Sequence, residues 1–170
     1  MNNIIVFDDL FAFDDRLKAY EFVRGSFYRI GWTDSNTEEY SKHRFLHSRY
    51  SDEDLSHLEI YSAIMNSEVG QTVAGLTKTR AVVNLTVPSD INFIHTHPEK
   101  KVILYYANIN WEEGWHGETL FFDETRTKIE FASPYTPGRV IVFDGRIPHT
   151  IRPQSHIASN YRFTLSIFFD

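Results

Sequence analysis

The chain of 170 residues contains no cysteine. That excludes a disulfide scaffold, thiolate metal ligands and a cysteine nucleophile together. Positive charge is scarce as well. Lys and Arg number 17 against 23 Asp and Glu, a net of −6 with His neutral, and no basic stripe of the kind a nucleic-acid partner requires is visible. No apolar run approaches the roughly 20 residues of a membrane span. The opening MNNIIVFDDLF lacks the basic and long apolar regions of a signal peptide. These absences lead to the expectation of a cytoplasmic single domain over 1–170, with no nucleic-acid partner and no membrane. Oligomeric state leaves no mark in the sequence.

Aromatic side chains are abundant, with 14 Phe and 9 Tyr, and hydrophobic residues reach 42%. Such a chain can build a core, and its aromatics favour strands. Two textures divide it. Residues 1–77 read as a helical support region after a short strand, IIVF at 4–7. A helix over 13–27 would align Phe13, Leu17, Tyr20 and Arg24, with Asp14 and Asp15 at its positive end. A second helix starts at Ser51-Asp-Glu-Asp54, a capping box with Asp in place of Glu, and runs to about Asn66 on a stripe of Leu55, Leu58, Ile60, Tyr61 and Ile64. Residues 31–50 read as a surface loop or a substrate-facing lid.

From 78 to 170 the period falls to two. Strands are expected near 79–87, 91–96, 102–109, 118–122, 128–132, 139–144, 148–152 and 162–169, separated by turn clusters such as PSD, PEKK and SPYTPG. Short strands at this spacing without intervening helices argue for a sandwich or jelly roll, with the helices on one face. Of the eight His, three are arranged to meet. His95 and His97 share a face by alternation, and His149 opens a later strand after Gly145-Arg-Ile-Pro148. A close His-x-ligand pair plus a distant His is the layout of a facial metal triad, which leaves open positions and suits Fe(II). His43, His47, His57 and His156 read as ordinary surface or core residues. On the last strand, alternation puts Arg162, Thr164 and Ser166 on one face; an inward guanidinium requires an anion, either a ligand or an internal Asp or Glu, unless the side chain reaches solvent at the strand end.

The segments PSDINFIHTHP, VILYYANINWEEGWHGETLFFDE, YTPGRVIVFDGRIPHTIRP and YRFTLSIFF together resemble the Fe(II)/2-oxoglutarate-dependent oxygenases, in their prolyl 4-hydroxylase-like branch. The resemblance covers Pro88 to Asp170. It implies a mostly β chain with α, a double-stranded β-helix (jelly roll) core over 78–170 with N-terminal helices packed on one face, and a dioxygenase using Fe(II), 2-oxoglutarate as cosubstrate and O2. The substrate would be a peptidyl or free amino acid, or a small metabolite, hydroxylated as 2-oxoglutarate is decarboxylated. His95, His97 and His149 would hold the metal and Arg162 the far carboxylate of 2-oxoglutarate, assisted by Tyr106, Thr164 and Ser166. Val102, Leu104 and Tyr106 would line the cosubstrate.

One position departs from that pattern. The family has His-x-Asp or His-x-Glu, and here His97 stands where the carboxylate belongs. A third imidazole leaves the metal one charge more positive, which tightens the hold on a dianion. Two readings retain a carboxylate: Glu99 as the ligand, or His116-Gly117-Glu118 as a second His-x-Glu. Three imidazoles also suit a cupin-type dioxygenase that does without 2-oxoglutarate, and the missing Asp suits a binding module that catalyses nothing. Asp144 reads as a turn residue, and Trp111 and Trp115 as loop packing.

Overall fold

The computed structural model describes residues 4–32 and 45–170. Its strands are β1 (Ile4–Phe7), β2 (Arg29–Trp32), β3 (Phe45–Tyr50), β4 (Lys78–Thr86), β5 (Lys101–Tyr106), β6 (Thr119–Phe122), β7 (Ile129–Ser133), β8 (Val140–Phe143), β9 (His149–Ile151) and β10 (Arg162–Phe169). Among the described residues they form two antiparallel sheets, one ordered β1-β8-β5-β10-β4-β3-β2 and the other β7-β6-β9. Strand β10 lies between β4 and β5, so both of its edges are paired and every residue of it is buried. A run such as RFTLSIFF suits that central place, because both faces are covered.

The alternation on β10 separates two cores. Phe163, Leu165, Ile167 and Phe169 face a cluster with the helices, including Ala19, Val23, Leu55, Ile60 and Ile64. Phe168 turns the other way with Val82, Leu104 and Tyr106, against Phe121 of the smaller sheet. One face of the large sheet therefore carries the helical layer, and the other closes against the small sheet as the double wall of a jelly roll. Burying a large apolar side chain contributes about 1.5–3 kcal/mol, and both layers depend on this one strand.

Helix α1 (Phe13–Arg24) has Asp14 and Asp15 in its first turn and ends at Gly25, short of the expected 27. The expected face is also shifted: Ala19, Tyr20 and Val23 are buried, while Phe13 is 58% exposed. The capping box is present. Ser51 Oγ accepts from the Asp54 backbone N–H at 3.1 Å, and Asp54 accepts from the Ser51 N–H at 2.7 Å. The single helix expected after it breaks at His57–Leu58 into α2 (Asp52–Ser56) and α3 (Glu59–Asn66), followed by α4 (Glu68–Gln71). The break lets Leu55, Leu58, Ile60 and Ile64 all reach the core.

Two strand expectations change. The strand expected at 4–7 is β1, but the rest of 1–77 is not purely helical, because β2 and β3 also join the large sheet. The lid or loop expected over 31–50 lies partly outside the described residues, and its described ends are the strands β2 and β3. The expected strand 91–96 contracts to one antiparallel bridge, His95 with His149.

Candidate metal and anion site

The bridge brings the first two imidazoles together. His95 and His149 exchange both backbone hydrogen bonds at 3.0 Å, so their side chains leave the same face side by side. His97 follows by alternation, and its N–H donates to Gly145 O at 2.7 Å, tying that turn to the approach of β9. Gly145 is required here by space: a Cβ would lie 2.2 Å from the Glu99 carbonyl oxygen and 3.2 Å from His97 Cβ. The ring centroids stand 5.0, 4.5 and 5.0 Å apart, and the ligating nitrogens lie within 4.8 Å of one another.

Hydrogen bonds orient two of the rings. His95 Nδ1 lies 2.9 Å from Phe93 O, and His149 Nδ1 lies 2.8 Å from Ile147 O. A carbonyl can only accept, so each Nδ1 carries the proton and each Nε2 is left with its lone pair. Burial, and then the neighbouring His95, push the His149 pKa down to about 3. Burial together with His149, His95 and Arg80 pulls His97 well below the usual imidazole range. Both rings are neutral at neutral pH, which is the form that binds a metal.

Arg162 sits on the same inner wall and is 1% exposed. Its Nε donates to Gly117 O at 2.9 Å and its Nη2 to Thr119 Oγ1 at 3.2 Å, while Nη1 is buried with no partner. Rings of Tyr106 and Tyr135 lie 5.3 and 4.8 Å from the guanidinium carbon. Burial draws the Arg162 pKa down, yet a guanidinium keeps its proton in proteins. The result is a buried cation beside two tyrosine rings, with Nη1 making no hydrogen bond of its own. Such a donor costs about 1–3 kcal/mol if left alone, and an anion in the cavity would satisfy it.

One cavity joins these features. His95, His97, His149 and Arg162 line it with Thr164, Ser166, Leu104 and Thr119. Tyr106 reaches it indirectly, donating through its hydroxyl to Thr119 Oγ1 at 2.7 Å and stacking on Tyr135 at 4.4 Å. Val102 and Leu104 are on the inner face, as alternation requires.

Glu99 is elsewhere. Its carboxylate receives Arg80 Nε at 2.7 Å and Nη2 at 3.3 Å, and the Arg80 guanidinium lies 3.7 Å over the Phe168 ring. It stands outside the three-His group. The reading of Glu99 as an alternative ligand is therefore corrected: the carboxylate is committed to a forked ion pair. Glu118 likewise pairs with Arg152 at 3.3 Å, and Arg152 lies beside His116, so the second His-x-Glu is also a rim ion pair. Asp144 caps its turn by accepting from Arg146. Trp115 is buried, and Trp111 donates to His116 O while packing on Tyr135.

Sequence reasoning passed over Thr119, Tyr135 and Asn84. Thr119 was legible by alternation with Phe121, and Asn84 as the lone amide in the run AVVNLTV. Tyr135 lies in a turn, and only the fold brings its hydroxyl to Asn108 and Phe163 O.

The donor set passes the test for a metal with a chelating, dianionic cosubstrate: three converging imidazoles, two of them oriented by backbone carbonyls, and a buried guanidinium with a free donor in the same cavity. No family model matches the chain, and no curated protein matches it in sequence. Solved structures do match in fold. A prolyl hydroxylase from Trichoplax adhaerens, in complex with a hypoxia-inducible-factor oxygen degradation domain peptide, shares 15% identity with a TM-score of 0.70, covering 99% of this chain and 84% of that one. An oxidoreductase of the 2OG-Fe(II) oxygenase family from Burkholderia pseudomallei gives 13% and 0.70, covering 99% and 85%. A Pseudomonas putida prolyl-4-hydroxylase gives 16% and 0.61, covering 98% and 91%. The chain has a double-stranded β-helix fold. Its structural neighbours are prolyl hydroxylases and 2OG-Fe(II) oxygenases.

Proposed function

We propose that this protein is an Fe(II)- and 2-oxoglutarate-dependent dioxygenase that hydroxylates a peptidyl or free amino acid or a small metabolite. The observation that carries the proposal is Arg162 Nη1, a buried donor without a partner in the cavity of the three imidazoles. His95, His97 and His149 would hold the iron. Arg162 would take the distal carboxylate of 2-oxoglutarate, with Thr164 and Ser166 beside it on the wall.

Bound there, iron with 2-oxoglutarate and O2 supplies the oxidising chemistry that couples decarboxylation to hydroxylation. The protein's own residues bind and orient. The carbonyls of Phe93 and Ile147 fix the imidazole tautomers. Gly117 O and Thr119 Oγ1 aim the guanidinium, and the tyrosines around it keep water away. Leu104, Val102 and Phe143 line the cavity with apolar surface, which strengthens the polar contacts within it.

The three-imidazole set also suits a cupin-type dioxygenase without 2-oxoglutarate, but that reading leaves Arg162 without a purpose. Anaerobic addition of Fe(II) and then 2-oxoglutarate separates them. The proposal expects a visible metal-to-ligand charge-transfer band on adding 2-oxoglutarate. Tight iron binding with no band refutes it in favour of the cupin-type reading, and failure to bind iron favours a non-catalytic module.

A further inference from the structure

Resting on that reading of the site, we infer that the second substrate is an organic anion whose carboxylate faces the metal end of the cavity. The inference starts from charge. Arg162 is the one formally charged side chain among the described residues that line this cavity. The other polar groups are the imidazoles, the amides of Asn84 and Asn92, and the hydroxyls of Thr86, Thr119, Thr164 and Ser166. Outside that lining, Arg80 pairs with Glu99 and Arg152 with Glu118.

The described lining thus brings one positive charge and a neutral ligand set. A divalent ion adds two more, and the 2-oxoglutarate dianion returns two. One positive charge remains in a cavity walled by hydrocarbon, where charges act over longer range than in water. A carboxylate in place of His97 would have brought the total to zero. With imidazole there, a cationic second ligand is repelled, a neutral one gains nothing, and an anion is drawn in.

A second feature points the same way. Asn84 lies midway along β4, opposite Thr164 on β10. Its Oδ1 is buried with no partner, and the residue lines the same cavity. The same amide carries an NH2 group, which offers two donors to a carboxylate. With Arg162 engaged by 2-oxoglutarate, the Asn84 amide is a group left to receive it.

The test uses binding rather than turnover. The protein is loaded with Ni(II), saturated with 2-oxoglutarate, and titrated calorimetrically with butyrate, butyramide and butylamine, which share a carbon skeleton. Butyrate is expected to bind about tenfold or more tightly than butyramide, with butylamine weakest. His97→Asp should shrink that preference to within about threefold, and Asn84→Leu should weaken butyrate while leaving 2-oxoglutarate affinity in place. If His97→Asp fails to fold, Asn84→Leu and the ligand series still decide. Equal binding of butyrate and butyramide overturns the inference, as does butyrate affinity that falls when 2-oxoglutarate is raised, which marks competition at Arg162. Failure of 2-oxoglutarate itself to bind, read in a separate titration, removes the underlying reading of the site and the inference with it.

Discussion

Replacing Arg162 by Leu removes a side chain that serves the ligand more than the fold. In the structure it makes two hydrogen bonds, to Gly117 O and Thr119 Oγ1, and leaves Nη1 unpaired. Deleting one partner of a buried, hydrogen-bonded charge pair costs about 2–5 kcal/mol, so 2-oxoglutarate should bind roughly 30-fold to several thousand-fold more weakly. The free protein should respond differently. Exchanging an uncompensated buried cation for hydrocarbon is often neutral or stabilising, so the melting temperature of the ligand-free variant should hold or rise. Metal affinity should also hold, since His95 and His149 are oriented by Phe93 O and Ile147 O and not by the guanidinium. Calorimetric titration of 2-oxoglutarate into Ni(II)-loaded wild type and variant measures the first effect, and thermal melts and metal titration the others. An unchanged 2-oxoglutarate affinity would refute the anchor, and a collapse in melting temperature would show that Arg162 is structural.

Three further expectations follow from the same geometry. His97→Asp supplies the carboxylate of the resembling family and should retain or improve turnover, while His97→Ala should weaken the metal; metal titrations that match wild type in both variants would take His97 out of the site. Gly145→Ala puts a methyl 2.2 Å from Glu99 O. The strain should cost about 1–3 kcal/mol, seen as a drop of several degrees in melting temperature, together with weaker metal binding because His97 leans on that turn; an unaltered melt and metal affinity would contradict it. The pH dependence of the metal-free protein follows from His97 and His149, whose folded pKa values are depressed. Their neutral burial favours folding fully above the unfolded value of about 6.5, and that stability is lost as pH falls toward the folded values, by up to ~2.7 kcal/mol per pH unit for two protons. Urea midpoints between pH 7.5 and 5 should fall accordingly, and the double variant His97→Gln/His149→Gln should flatten the curve; an equal slope in that variant would remove the imidazoles as the cause.

How much was legible in the sequence differs by element. Strand β10 was read to the residue at both ends, because an uninterrupted apolar run with one Arg at its start has a single good place, the middle of a sheet. The capping box at Ser51 was equally legible, since it is made within four residues. The helix after it was read as one and is two. Nothing local distinguishes a continuous stripe from one rotated at His57–Leu58 to bring Leu55 and Ile64 onto the same core. Strands β2 and β3 were missed because their surroundings are polar; β2 pairs only with β3 among the described strands, and the other partner of β3, β4, lies far along the chain.

Residue spacing by itself determined the inward and outward faces, and with them the identity of the imidazoles and the guanidinium. Alternation is a local property of an extended chain, so His95 with His97, and Arg162 with Thr164 and Ser166, were on common faces before any fold was considered. Only the tertiary structure decided which of those groups meet, and which carboxylates are already taken. Glu99 and Glu118 are engaged by Arg80 and Arg152, contacts between residues 19 and 34 apart in the chain. The unpaired Nη1 of Arg162 likewise exists because Gly117, Thr119 and two tyrosines from separate segments close around the other nitrogens, and hydrogen bonding is satisfied or left open by neighbours that sequence order does not reveal.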